Sequence, residues 1–308
     1  MQHCDALADL RQAAALEPRN LLHLANLAQA LIDLGQADEG LQAAEQALRH
    51  AEAFVPALEK RCLALMACSR WDEAHDAFAS LARQAELQRI TLSPRMQATG
   101  AVLASRWWRP IAVGGAVLRL PCDDDHDAIA GWLADAAFMA RYHRFQPVAG
   151  RAARNYIARA QRPPTETRRR EWIIQDRHGR PAGFAAVVDV DLSHRRGELL
   201  IGLPAADASS SLALKASIAA MAFAFGALHL DKLVSHVYGD NPNAQANTLH
   251  LGFREEGRLR NHLRFSDQPI DLIVNGLLAH EHAGNAMLRR LRDRWLTADV
   301  IGALHWRR

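Results

Sequence analysis

The sequence predicts an α+β chain: an all-α helical repeat followed by a domain built on a mixed sheet. Three observations lead there. Segments of the first hundred residues recur at a 34-residue shift, the apolar spacing changes from helical to alternating after Pro110, and helix and strand candidates then come in mixed order. With 308 residues and 49% hydrophobic content, two buried cores are expected.

The repeat comes first. Leu31-Ile32-Asp33-Leu34-Gly35-Gln36-Ala37-Asp38-Glu39-Gly40 superimposes on Leu65-Met66-Ala67-Cys68-Ser69-Arg70-Trp71-Asp72-Glu73-Ala74, which is the period of a tetratricopeptide unit. Each unit holds an apolar helix, a short turn and a second helix opened by Asp38-Glu39 or Asp72-Glu73, whose carboxylates suit the positive end of the helix dipole. Leu24, Leu27, Ala28 and Leu31 supply the buried stripe. Units are expected at 20–53 and 54–87, after a half repeat from Ala6 to Leu16 that Glu17-Pro18 closes. So few units need a cap, and a helix from Ser93-Pro94 towards Ser105 is placed to provide one and to dock the repeat onto the second domain. The repeat domain is set at 1–105 and a linker at 106–115, with Trp107-Trp108 read as an apolar junction.

Strand candidates lie at Ala116 to Pro121, Glu171 to Gln175, Gly183 to Val188, Glu198 to Leu203 and Lys232 to Val237, then roughly at Phe253 to Phe265 and Pro269 to Leu278. Asp123-Asp124-Asp125 offers N-cap chemistry for a helix containing Ile129, Trp132 and Leu133. Asp176-Arg177-His178-Gly179 reads as a hairpin turn, and a long helix is expected from about Ser210 to Leu228.

Charge respects the division. Residues 1–105 hold 9 Lys/Arg against 13 Asp/Glu, whereas 141–180 hold 11 Arg against 3 Asp/Glu, a cluster that suits either an anionic ligand or a solvated face. Cys4, Cys62, Cys68 and Cys122 form no CxxC pair, so neither a disulfide framework nor a zinc site is indicated and a cytoplasmic location is expected. The longest apolar run, Leu212 to Leu230, is broken by Lys215, Ser217 and His229 and reads as a buried helix, so no membrane partner is expected. His280-Glu281-His282 lacks metal-ligand spacing, and no nucleic-acid signature stands out.

From Ala116 to His282 the chain resembles the GNAT N-acetyltransferases, in the branch that includes the RimJ/RimL-type protein acetyltransferases and the sugar-nucleotide N-acetyltransferases of pseudaminic acid synthesis. The resemblance rests on Leu118-Arg119-Leu120, Gly197-Glu198-Leu199, Asn241 through Gly252-Phe253, Glu256-Gly257-Arg258-Leu259-Arg260 and Asp271 to Glu281. It implies a sheet splayed at its centre in a domain over 116–308, and transfer of an acetyl group from acetyl-CoA to a primary amine of a sugar nucleotide or a protein. It implies further that Glu198 is the base, with pairing to Arg195 or Arg196 as the plain alternative. Ile201, Gly202 and Leu203 would offer backbone groups to the thioester arm, and Asn241 would bond that arm or simply cap a turn.

Two positions depart from the family pattern. Thr248 stands where a general-acid tyrosine is usual, leaving His250 as a nearby proton donor. Asp207-Ala208-Ser209-Ser210-Ser211 replaces the Arg/Gln-x-x-Gly-x-Gly loop that cradles the CoA pyrophosphate, with Arg195, Arg196 or Lys215 available to restore positive charge. Tyr142, His143, Arg144, Arg260 and His262 are the expected acceptor contacts. The alternatives are a donor on an acyl carrier protein, or a catalytically silent scaffold. The repeat arm would serve protein contacts or homodimerisation.

Overall fold

The computed structural model describes residues 2–142, 152–204, 210–265 and 267–297. The chain forms two compact units, Met1–Ala104 and Ser105–Arg308.

The first unit contains α1 (Gln2–Leu16), α2 (Leu21–Asp33), α3 (Ala37–His50), α4 (Val55–Ala67), α5 (Trp71–Leu87) and α6 (Pro94–Ala104). Helix starts recur at the 34-residue period, α4 after α2 and α5 after α3, and so do the helix endings of the first pair. Gly35 and Ser69 both take positive φ, and the next N–H in each case reaches back five residues, Gln36 to Leu31 O and Arg70 to Leu65 O. Ala28, Ala44, Ala47, Ala57 and Ala64 are fully buried, and their small side chains let neighbouring helices approach closely.

The second unit is an eight-stranded sheet. Its strands are β1 (Ile111–Val113), β2 (Ala116–Arg119), β3 (Arg170–Gln175), β4 (Pro181–Asp191), β5 (Arg196–Gly202), β6 (Lys232–Tyr238), β7 (Arg254–Phe265) and β8 (Gln268–Leu278). The spatial order is β1-β2-β3-β4-β5-β6-β8-β7. All neighbours run antiparallel except β5 and β6, which are parallel. Helices α7 (His126–Ala134), α8 (Ala136–Tyr142), α9 (Ala152–Ala160) and α10 (Pro164–Thr167) fall between β2 and β3. The crossover from β5 to β6 is α11 (Ser210–Ala222), prolonged by a π-helical turn over Phe223–Ala227, and α12 (Pro242–His250), α13 (Ala279–Gly284) and α14 (Ala286–Trp295) complete the unit.

Strand pleating splits the core between the two sheet faces. On β3, Ile173 joins Ile129, Leu133, Phe138, Tyr156 and Phe184 under α7 to α9, whereas its neighbour Trp172 packs edge-on against Phe223 on the other face at 5.2 Å.

Several expectations need revision. The stretch read as a linker at 106–115 contains β1, which the turn Gly114-Gly115 folds back onto β2. Trp107 belongs to the core of the second unit: it is fully buried, with the Arg170 guanidinium 5.4 Å from its ring and 4.7 Å from that of Trp172. Burial lowers Arg170 to about 9. Asp125 does not cap α7; it takes a two-pronged ion pair from Arg119 at 2.6 and 2.7 Å and accepts the Cys122 N–H. Much of the arginine cluster is likewise used internally. Arg159 and Arg169 share Glu171, Arg162 pairs with Glu166, and Arg180 with Asp176.

Candidate active site

The site originates in a backbone event. β5 and β6 pair only from Arg196, Gly197 and Glu198 to Lys232, Leu233 and Val234; beyond Glu198 the strands part, although β5 continues to Gly202 and β6 to Tyr238. Within the described residues, no ladder partner meets the β6-facing backbone of β5 past that point. A cavity of about 950 Å³ opens in the gap, lined by residues of β5 and β6 and by side chains of α11, α12 and α14.

At the head of the gap Gly183 lets β4 approach β5, and Gly202 lets α8 approach β5. A Cβ on Gly183 would collide with the carbonyl oxygen of Gly202, and one on Gly202 would collide with the Tyr142 ring. Tyr142 is thereby set against the cavity wall, stacked on Phe138 at 5.4 Å, and burial raises its phenol above the ordinary value.

At the fork, Glu198 Oε1 lies 3.0 Å from His236 Nδ1. The parallel register sets Glu198 beside Val234, and His236 lies two residues further along the same face of β6. Glu198 is 15% exposed and His236 38%, so the pair is neither sealed nor freely solvated. The hydrogen bond that His236 donates to Glu198 lifts the imidazole above 6.5, against an opposing burial effect, and the negative charges of Glu198 and Asp189 reinforce the rise. The alternative pairing of Glu198 with Arg195 or Arg196 is absent: Arg195 bonds Asp231 and the His229 carbonyl, and Arg196 is exposed to solvent.

Asp189 reaches the cavity through a bulge. Register breaks between Val188 and Asp191, and Asp189 has φ of 48°, a conformation that Asp adopts more readily than most residues. Arg141 and Arg169 place positive charge on the same cavity.

Of the donor-side candidates, Ile201, Ser211, Asn241, Thr248 and His250 line the cavity. Gly202 and Leu203 end β5 beside it. Asn241 caps α12, its side-chain oxygen accepting from Ala244 N at 3.1 Å. Thr248 is buried and His250 exposed. Ser210 opens α11, while Asp207, Ala208 and Ser209 lie outside the described residues, as do His143 and Arg144. Arg260 and His262 do not join the site; they sit on the exposed edge strand β7, in a separate shallow depression at its bulge. Arg196 opens β5, directly after Arg195, and Lys215 lies on α11.

Reading the sequence missed His236, Tyr238, Asp189, Arg169, Leu291 and Trp295, all of which line the cavity. His236 was legible in principle within the strand candidate Lys232 to Val237, and Tyr238 lies one residue past it; the others depend on a bulge, on the strand splay or on a helix with no chemical signature.

Residues 116–254 match the family model described as acetyltransferase (GNAT) domain. Among solved structures, the chain is similar to the spermidine N-acetyltransferase of Vibrio cholerae in complex with CoA and spermine, at 18% identity over 55% of this chain and 98% of that one, with a TM-score of 0.50. A spermidine/spermine N-acetyltransferase from Vibrio cholerae with manganese ions matches at 19% identity, 56% and 96% coverage and a TM-score of 0.47. The first likeness shows the fold. No curated protein sequence matches the chain.

Proposed function

We propose that the chain transfers an acetyl group from acetyl-CoA to a primary amine borne by an anionic acceptor, a nucleotide-linked amino sugar or a protein. The observation that carries this reading is the Glu198–His236 pair at the point where β5 and β6 part. An amine attacks only when neutral, and an imidazole raised by a carboxylate accepts the ammonium proton while the Glu198 charge stabilises the imidazolium formed.

The donor fits the same cavity. Backbone N–H groups of β5 beyond Glu198 are available to polarise a thioester carbonyl, and Ser211 at the N-terminus of α11 lines the end where an anionic group is favoured. Bound acetyl-CoA supplies the activated acyl group, and the protein's part is to orient it, remove a proton and restrict water.

Arg141, exposed on the wall, supports an anionic group on the acceptor, while Asp189 and Glu198 on the same wall favour its amine. The 34-residue spacing of helix starts supports a tetratricopeptide arm that presents a protein substrate or a second copy of the chain. Buried Cys62, with its thiol raised to about 12, and exposed Cys122 are both free, which supports a reducing, cytoplasmic setting.

Release of CoA, followed with spermidine, a nucleotide-linked amino sugar and an acidic peptide with a free N-terminal amine as acceptors, tests the reading. Turnover with either anionic acceptor above that with spermidine is expected. Preference for spermidine overturns the acceptor class, and no turnover with any amine overturns the activity.

A further inference from the structure

The cavity has a wall that the matched domain does not contain. α14 begins 32 residues after the end of the family match, yet its Leu291 and Trp295, one helical turn apart on one face, line the same cavity as Glu198 and Asn241.

Both ends of this helix are fixed. At its start, Asn285 accepts the N–H groups of Met287 and Leu288 at 3.0 and 3.2 Å, and its amide lies against Gly252, where an added Cβ would stand 3.0 Å from Nδ2. Leu288, 1% exposed, is the buried anchor. At its end, the Trp295 carbonyl accepts the Gly114 N–H at 2.9 Å, the indole lies against Gly114, and Lys215 Nζ stands 5.9 Å from the ring centroid. Ten residues, about 15 Å of helix, therefore run from the turn after α12 to the turn between β1 and β2, packing along α11.

This placement explains why two apolar side chains face a cavity that also bears Glu198 and His236. A thioester donor carries a long arm between its acyl group and its phosphates, and the arm must lie between the splayed strands and the N-terminus of α11. We propose that Leu291 and Trp295 form the wall against which the pantetheine arm of the donor packs, so that donor affinity depends on a helix outside the matched domain. Lys215, held over the indole, stands one turn into α11, where it can meet a donor phosphate. The inference rests on the acetyl-CoA reading above and adds the donor-binding residues to it.

The test compares wild type, Trp295→Ala, Trp295→Phe and Leu291→Ala in the full chain. It uses calorimetry with CoA, steady-state kinetics in each substrate and thermal unfolding. Trp295→Ala is expected to raise the Kd for CoA and the KM for acetyl-CoA about 10-fold, roughly 1.4 kcal/mol, with kcat and the amine KM within about two-fold of wild type. Trp295→Phe should recover most of the loss, and Leu291→Ala should show a smaller loss in the same direction. CoA binding by Trp295→Ala as tight as by a CoA-binding wild type overturns the wall alone. Equal rises in both KM values with a lowered unfolding midpoint also overturn it, as a merely structural role. A wild type that neither binds CoA nor turns over overturns the acetyl-CoA reading and this inference together.

Discussion

Glu198 and His236 lie 3.0 Å apart across the only parallel junction in the described sheet, just where the two backbones stop pairing. The carboxylate comes from β5 and the imidazole from β6, so the pair exists only if the strands are held in register and then diverge.

The raised His236 sets a pH profile. The neutral imidazole is the base, so kcat/KM should fall as pH drops through a value above 6.5, and Glu198→Gln, which removes the charge that lifts it, should move that limb to lower pH. The same substitution should lower kcat/KM about 100-fold. A limb that stays in place in the variant contradicts the assignment.

The pair also links stability to pH. Because the folded-state value of His236 is raised, its contribution to stability is fully present below the unfolded value and is lost as pH rises through the folded one. Thermal midpoints of wild type and His236→Gln should therefore converge on going from mildly acidic to alkaline buffer. Divergence with rising pH would run against the geometry.

Gly183 sets the approach of β4 to β5. Gly183→Ala places a methyl group on the Gly202 carbonyl, so it should cost about 1–3 kcal/mol in urea unfolding and lower kcat/KM, because β5 carries Glu198. Full stability and activity in this variant would show that the strands can separate freely.

Asn275 is fully buried and exchanges two side-chain hydrogen bonds with Gln245 of α12, at 2.8 and 3.0 Å, while donating to Ser235 O at 3.2 Å. Asn275→Leu strands the Gln245 amide and should cost about 1–3 kcal/mol, whereas the double variant with Gln245→Leu should recover part of it. Denaturant unfolding of the four proteins measures this, and strictly additive losses would show that the amide pair is not coupled.

Asp125 supplies acid sensitivity. Burial raises its pKa, but the Arg119 hydrogen bond and the Cys122 N–H outweigh that, leaving it below 3.8. Its stabilisation is present above the unfolded value and lost as pH falls through the folded one. Asp125→Asn should therefore flatten the acid limb of the thermal midpoint, and an unchanged limb would assign acid unfolding to other carboxylates.

Helices were legible in the sequence wherever one period dominated. Gln36-Ala37-Asp38 and Arg70-Trp71-Asp72 mark equivalent helix starts, and the strand candidates from Ala116 to Leu278 lie close to β2 to β8. β1 was hidden because three residues cannot show an alternation, and Arg170 because nothing local reveals that two indoles enclose it. Glu198 was legible through its neighbours Gly197 and Leu199, but its partner was not. Only the parallel register brings a histidine nearly forty positions later to its side. Trp295 was hidden for the same reason: its role depends on where α14 lies, and its own segment is rich in arginine.

In the proposed mechanism Glu198 and His236 act as one base. A double-mutant cycle in kcat/KM for acetyl transfer, using Glu198→Gln, His236→Gln and the double variant, is the most direct measurement of that coupling. We expect the double variant to be no slower than the slower single variant. Losses that multiply would contradict the mechanism, by showing two groups that act independently.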